Sequence, residues 1–154
     1  MTVNSRFCGG RCGWGATVGS TVQPGLPEPV PLVAGHSPQV LGGARTRLMQ
    51  GSTVVEMYGE IDLTTAAAAQ APLDAATARP GARLIVDLRA VVFFDCAALT
   101  LLHRAHRRVR ECGGELGLVC VRPWHRKVLA AGGVTPLVPM FATVQEALVV
   151  TRPD

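Results

Sequence analysis

Cys96 is the residue of this chain best placed to do chemistry. It directly follows Asp95 and opens a stretch with a helical pattern. A thiol at a helix N-terminus can be held as a thiolate and act as a nucleophile or a redox sensor. His103 and His106 follow in the same stretch. His103, however, is seven residues on, ~10 Å of helical rise and beyond hydrogen-bond reach of the thiol. A Cys-His enzyme built on this helix alone is therefore disfavoured, and a thiol sensor is the chemical reading that remains. Cys8 and Cys12 form a lone CxxxC in a glycine-rich stretch. A zinc site would need two more ligands, and none lies nearby at a suitable spacing. His36, His103, His106 and His125 show no metal spacing with a carboxylate or cysteine and read as core or surface histidines. No GxGxxG or GxxxxGK[ST] follows a strand, so phosphate-cradling loops of those types are disfavoured. These residues imply no catalytic centre, no cofactor and no metal, and the expected class is a binding protein, not an enzyme.

The elements that would position Cys96 come from a chain of 154 residues, 48% of them hydrophobic, enough for one domain with a real core. The net charge of +4 is mostly arginine, and Arg104, Arg107, Arg108 and Arg110 cluster in one stretch. Aromatics make up only 5%, so this cluster reads as a solvated helix face and direct nucleic-acid binding is not expected. No apolar run reaches the ~18 residues of a membrane span, and no export signal opens the chain. A cytoplasmic location without membrane partners is expected, where thiols stay reduced. The odd count of five cysteines agrees with that view. Residues 1–43 are rich in glycine and proline without apolar periodicity and read as a disordered arm. Residues 44–151 read as the folded domain.

Within that domain residues 53–58 are β-branched and apolar and predict a strand closing at Gly59, with residues 45–49 as a short antiparallel edge. Asp62 or Thr64 can cap a helix running to about Ala78, which Pro72 should kink or split. Residues 83–88 form a run apolar enough to be buried on both faces, and residues 91–94 continue it or form a second short piece. Asp95 then caps a helix over residues 96–110, in which Leu99, Leu102, His103, His106 and Val109 can share one side. Gly113 and Gly114 end it. Residues 115–121 are a strand, and Pro123 opens a short helix to about Ala131, which Trp124 either anchors or beside which it sits exposed on a contact face. Residues 137–141 are a last strand. Thr143 caps a final helix, with Glu146 completing a capping box. The order β-β-α-β-α-β-α-β-α implies an α/β fold: a mixed, largely parallel sheet of four to five strands covered by helices.

Several short motifs in this order resemble the STAS domain (sulfate transporter and anti-sigma factor antagonist). Gly59-Glu60-Ile61-Asp62 resembles its Gly-Glu-Leu-Asp, and Val86-Asp87-Leu88 its buried Val-Asp-Leu. Asp95-Cys96-Ala97-Ala98-Leu99 corresponds to its Asp-Ser-Ser-Gly-Leu. Gly113-Gly114-Glu115-Leu116, Val128-Leu129 with Gly132-Gly133, and the stretch from Thr143 to Leu148 complete the pattern. The resemblance implies an anti-sigma factor antagonist. Such a domain binds an anti-sigma factor, often itself a serine kinase, in a partner-switching circuit that regulates transcription. The kinase phosphorylates the second serine of the motif and the complex dissociates. The partner-binding residues carried over are Asp95, Cys96, Ala97, Ala98 and Leu99, and from the adjacent loop Glu60, Asp62 and Thr64. A weak homodimer is allowed.

The chain departs from the family at the switch itself. The phosphoacceptor position is Ala97, the preceding serine is Cys96 and the glycine is Ala98. Ala97 has no hydroxyl, so phosphorylation there is chemically impossible. The expected protein is a constitutive binder without the off switch, or a scaffold or decoy that has lost that partner. Thr100 is the nearest hydroxyl and reads as an ordinary helix residue. The alternatives are a STAS subunit of another assembly, such as lipid transport or stress signalling, and a Cys96 thiol sensor or enzyme.

Overall fold

The structure is a computed structural model and describes residues 41–151. The arm expected over residues 1–43, with Cys8, Cys12 and His36, lies outside the described residues except for its last three, and Gly43 already belongs to the first strand. The elements are β1 (Gly43–Met49), β2 (Ser52–Ile61), α1 (Ala66–Ala76), β3 (Arg83–Phe94), α2 (Cys96–Glu111), β4 (Glu115–Val119), α3 (Pro123–Ala131), β5 (Met140–Phe141) and α4 (Val144–Val150). The sheet order is β1-β2-β3-β4-β5, with β1 antiparallel to β2 and every other pair parallel. This is the expected mixed, largely parallel sheet.

Successive strand residues face opposite sides, and the core divides accordingly. Val55, Met57, Leu84, Val86 and Leu118 join Leu73 of α1, Leu101, Leu102 and Val109 of α2 and Leu129 of α3 in one cluster. Val54, Ile85 and Val119 meet Val144, Ala147 and Leu148 of α4 on the other face. Sequential parallel strands joined by crossovers of one hand place their connecting helices on the same face, so all chain turns between strands lie at the two ends of the sheet.

Three local expectations are corrected. α1 is not split at Pro72 but runs as one helix. The carbonyl deprived of its donor belongs to Ala68, on the exposed side, where water can reach it. β2 does not close at Gly59 but passes through it at φ 71° to Ile61. The last strand shrinks to Met140–Phe141, because Pro139 has no N–H to give to the ladder and contributes only its carbonyl, to Leu118 N–H at 2.9 Å. Residues 91–94 do continue β3.

The core-facing stripe of α2 is also rotated from the expected one. It consists of Ala98, Leu101, Leu102, Ala105 and Val109, while Leu99, His103 and His106 are only half-buried at its flank. The arginine cluster is in part internal bracing. Arg104 grips Asp74 of α1 through Nε and Nη2, both at 3.1 Å, and Arg108 Nε donates to Thr77 Oγ1 at 2.9 Å. The Arg104 bonds hold the Asp74 carboxyl below its ordinary range. Arg107 pairs only loosely with Glu111, at 3.8 Å on the exposed side.

Candidate partner-docking site

The C-terminal ends of β2, β3 and β4 meet at one rim of the sheet, the end at which open α/β sheets gather their loops. Two irregularities of β3 against β2 shape this rim. The register runs Glu56↔Asp87 then Tyr58↔Ala90, and Gly59↔Val91 then Glu60↔Phe93. Each step leaves an extra residue on β3, and such bulges re-aim the side chains that follow. At the first, Asp87 is buried, and Arg89 folds back onto it with Nη2 to Oδ2 at 2.7 Å and its own N–H to Oδ1 at 3.0 Å. At the second, Val92 is the extra residue, Phe93 turns outward at 49% exposure and Phe94 turns into the core.

After β2 the chain turns sharply around Asp62. Its Oδ1 accepts from Thr64 N–H at 2.8 Å, Thr64 Oγ1 at 2.6 Å and Thr65 N–H at 3.0 Å. Thr65 Oγ1 accepts from Asp62 N–H at 3.0 Å and donates to the Glu60 carbonyl at 2.6 Å. These donors, the Thr64 hydroxyl first, hold the Asp62 carboxyl below its ordinary value. Asp62 and Thr64 therefore fix the turn that feeds α1. Leu63 is pushed to its tip, 83% exposed. Glu60 is exposed beside it.

Asp95 N–H donates to the Ile61 carbonyl at 3.2 Å, which ties the end of β3 to the end of β2. Its side chain caps α2, with Oδ1 accepting from Ala97 N–H at 2.7 Å. Of the five residues expected to form this part of the face, Asp95 and Ala97 are half-buried and Cys96 is exposed. Ala98 is corrected: it is 3% exposed, on the core stripe, and its methyl cannot touch a partner. Leu99 is turned toward α3, where a Cβ added to Gly132 would lie 2.7 Å from its Cδ1. His103 Nε2 donates to the Gly132 carbonyl at 2.8 Å, so the histidine nearest to Cys96 along the helix is engaged elsewhere. Thr100 Oγ1 donates to the Cys96 carbonyl at 2.9 Å.

Of the third part of the rim, the sequence singled out only Trp124, as either a helix anchor or an exposed contact residue. Pro123 opens α3, and Trp124 beside it is 67% exposed, which decides between anchor and open face. His125 turns inward. Its Nε2 donates to the Val92 carbonyl at 3.3 Å and its ring lies 4.8 Å from that of Phe94. The start of α3 is thereby held against the end of β3, and Leu63, Phe93, Val121 and Trp124 are exposed around one rim. The signal was the alternation of Phe93 and Phe94 and the lone Trp beside a helix-opening Pro.

A family model described as the STAS domain matches residues 44–147. The chain belongs to the STAS domain family. Solved structures agree with this. An anti-sigma factor antagonist from Mycobacterium paratuberculosis is 28% identical with a TM-score of 0.66, over 73% of this chain and 95% of that one. An anti-sigma-factor antagonist (STAS) domain protein from Planctomyces limnophilus is 24% identical with a TM-score of 0.65, over 71% and 97%. The Bacillus cell fate determinant SpoIIAA, in its phosphorylated form, is 23% identical with a TM-score of 0.56, over 71% and 100%. No match was found among the curated proteins. Among the described residues of this STAS domain, no helix is long and apolar enough to cross a membrane.

Proposed function

We propose that this STAS domain is a non-enzymatic antagonist that binds an anti-sigma factor of the serine-kinase-like kind through the rim formed by Glu60–Thr64, Phe93 and Asp95–Ala97, and that it lacks the phosphorylation switch. One observation carries the reading. Ala97 occupies the first turn of α2, its N–H capped by Asp95, at the position where the family motif has its acceptor serine. A phosphate there would add about −2 charge at neutral pH beside Asp95 and oppose docking. With a methyl group in its place that event has no chemistry, and the rim stays competent to bind. Family membership and the 28% identity to a mycobacterial antagonist support the partner class. The engagement of His103 with Gly132 supports a binding role for the Cys96 region over a catalytic one.

Leu63 tests the location. Binding to a recombinant ATPase-type anti-sigma factor from the same genome, measured by titration calorimetry, weakens at least tenfold in Leu63→Asp, as expected when a carboxylate replaces an apolar anchor at the centre of an interface. Leu48→Asp, on another exposed leucine beside the turn at the far end of the sheet, leaves it unchanged. Equal losses in both variants, or no binding by the unsubstituted protein, would contradict the proposal.

A further inference from the structure

The rim carries charges of opposite sign on its two sides. On the β2 and α2 side stand Glu60, Asp62 and Asp95. On the α3 side the chain has no Asp or Glu between Glu115 and Glu146, while Arg122, Arg126 and Lys127 are all exposed. None of these three forms an ion pair among the described residues. Arg122 and Arg126, at the start of α3, also cost the fold something. The start of a helix carries a partial positive charge that favours carboxylates, yet the first turn of α3 has no acidic residue and no side-chain cap. Residues three apart share a helix face, so Trp124 aligns with Lys127 on α3. Exposed tryptophan and arginine are residue types enriched at interface hot spots, and Trp124 is 67% exposed between Arg122 and Arg126 in the chain.

We infer that α3 is the second half of the docking surface, and that its occupant is an acidic segment of the same protein partner, with an apolar recess for Trp124. This rests on the docking function proposed above and specifies the partner's chemistry. The partner meets Glu60 and Asp62 with positive charge and Arg126 and Lys127 with carboxylates, which fixes one orientation of docking. A uniformly anionic occupant, an RNA or a lipid surface, would gain at α3 and be repelled by Glu60, Asp62 and Asp95.

The test is titration of the full-length chain with the recombinant anti-sigma factor at low and at high salt. Arg126→Glu/Lys127→Glu and Trp124→Ala each weaken binding at least tenfold at low salt. The charge reversal flattens the salt dependence, and Trp124→Ala leaves it intact. Glu60→Lys also weakens binding, which a uniformly acidic partner would reverse. All these side chains are exposed, and an unchanged melting temperature confirms that each variant is folded. Anti-sigma binding that survives both α3 substitutions overturns this inference and leaves the docking function standing. No binding by the unsubstituted chain overturns both. Tighter binding of Glu60→Lys to a single-stranded RNA or to phosphatidylglycerol vesicles, lost in the double reversal, would assign α3 to those occupants and overturn the protein partner.

Discussion

His125 shows how one side chain can serve the fold and the rim together. Its ring is 3% exposed and bridges α3 to the Val92 carbonyl, with Nδ1 left without a partner among the described residues. Burial pushes its pKa below the ordinary 6.5; the Val92 bond opposes this, and the Arg122 charge adds to it. His106 is lowered too, by burial, then by Arg110 and His103. In both cases the folded value lies below the unfolded one, so the unfolded chain takes up protons first as pH falls. Stability is therefore full above about pH 6.5 and declines from there toward the lowered folded values. Urea unfolding at pH 7.5 and pH 5.5 should show that decline, and His125→Phe, which keeps the ring against Phe94, should show a smaller one. An identical decline in the variant would mean that His125 is not buried as described. At this scale the sequence was legible where chemistry is categorical: Ala97 lacks a hydroxyl in any fold. It was not legible for Ala98. Alanine is mildly apolar and satisfies either side of a helix, so the sequence puts Ala98 on the partner-binding face, whereas it lies on the buried stripe of α2 with Leu101, Leu102, Ala105 and Val109.

At the scale of elements, most caps and turns were readable because they are local; the α1 cap was not, since Thr65 holds the N-cap position in place of the expected Asp62 or Thr64 and makes no side-chain cap bond. Thr143 Oγ1 accepts from Glu146 N–H at 3.1 Å, and Glu146 reaches back to Ala142 N–H at 3.1 Å. α3 begins and ends where Pro123 and Gly132 indicated. Strand irregularities were not readable, since a bulge is defined by the partner strand; Gly59 inside a strand pattern was the only local hint. Pro72 shows the converse, a strong local signal overridden by packing. Leu73 is buried in the core, and Arg104 holds Asp74 from α2, so the helix persists through the proline. Its cost should still be recoverable. Pro72→Ala restores an N–H for the Ala68 carbonyl and should stabilise the domain by about 2 kcal/mol, somewhat under the ~3 kcal/mol separating proline from alanine in helix interiors, because the half-buried ring gives up some packing. Thermal or denaturant unfolding would show it, and a loss of stability would mean that the ring's packing outweighs the missing bond.

For the molecule as a whole, the alternation of strand and helix was enough to read the sheet, and the motifs placed the α2 start at its rim. What the sequence did not convey is that three separate stretches, Glu60–Thr64, Phe93–Ala97 and Val121–Lys127, come together there. Their union depends on parallel neighbours whose ends coincide only after crossovers of tens of residues, and on the hydrogen bonds from Asp95 to Ile61 and from His125 to Val92. The rim is thus assembled by the fold, and the proposed function, in which residue 97 has no acceptor hydroxyl, requires that it stay competent to bind. The direct measurement is the lifetime of the complex with a serine-kinase-like anti-sigma factor, with and without ATP, for the unsubstituted chain and for Ala97→Ser. A domain without the switch stays bound and unphosphorylated when ATP is added, whereas Ala97→Ser gains a phosphate at residue 97 and dissociates at least tenfold faster. ATP-driven release of the unsubstituted chain, with phosphate on Thr100 or another hydroxyl, would contradict the absence of a switch.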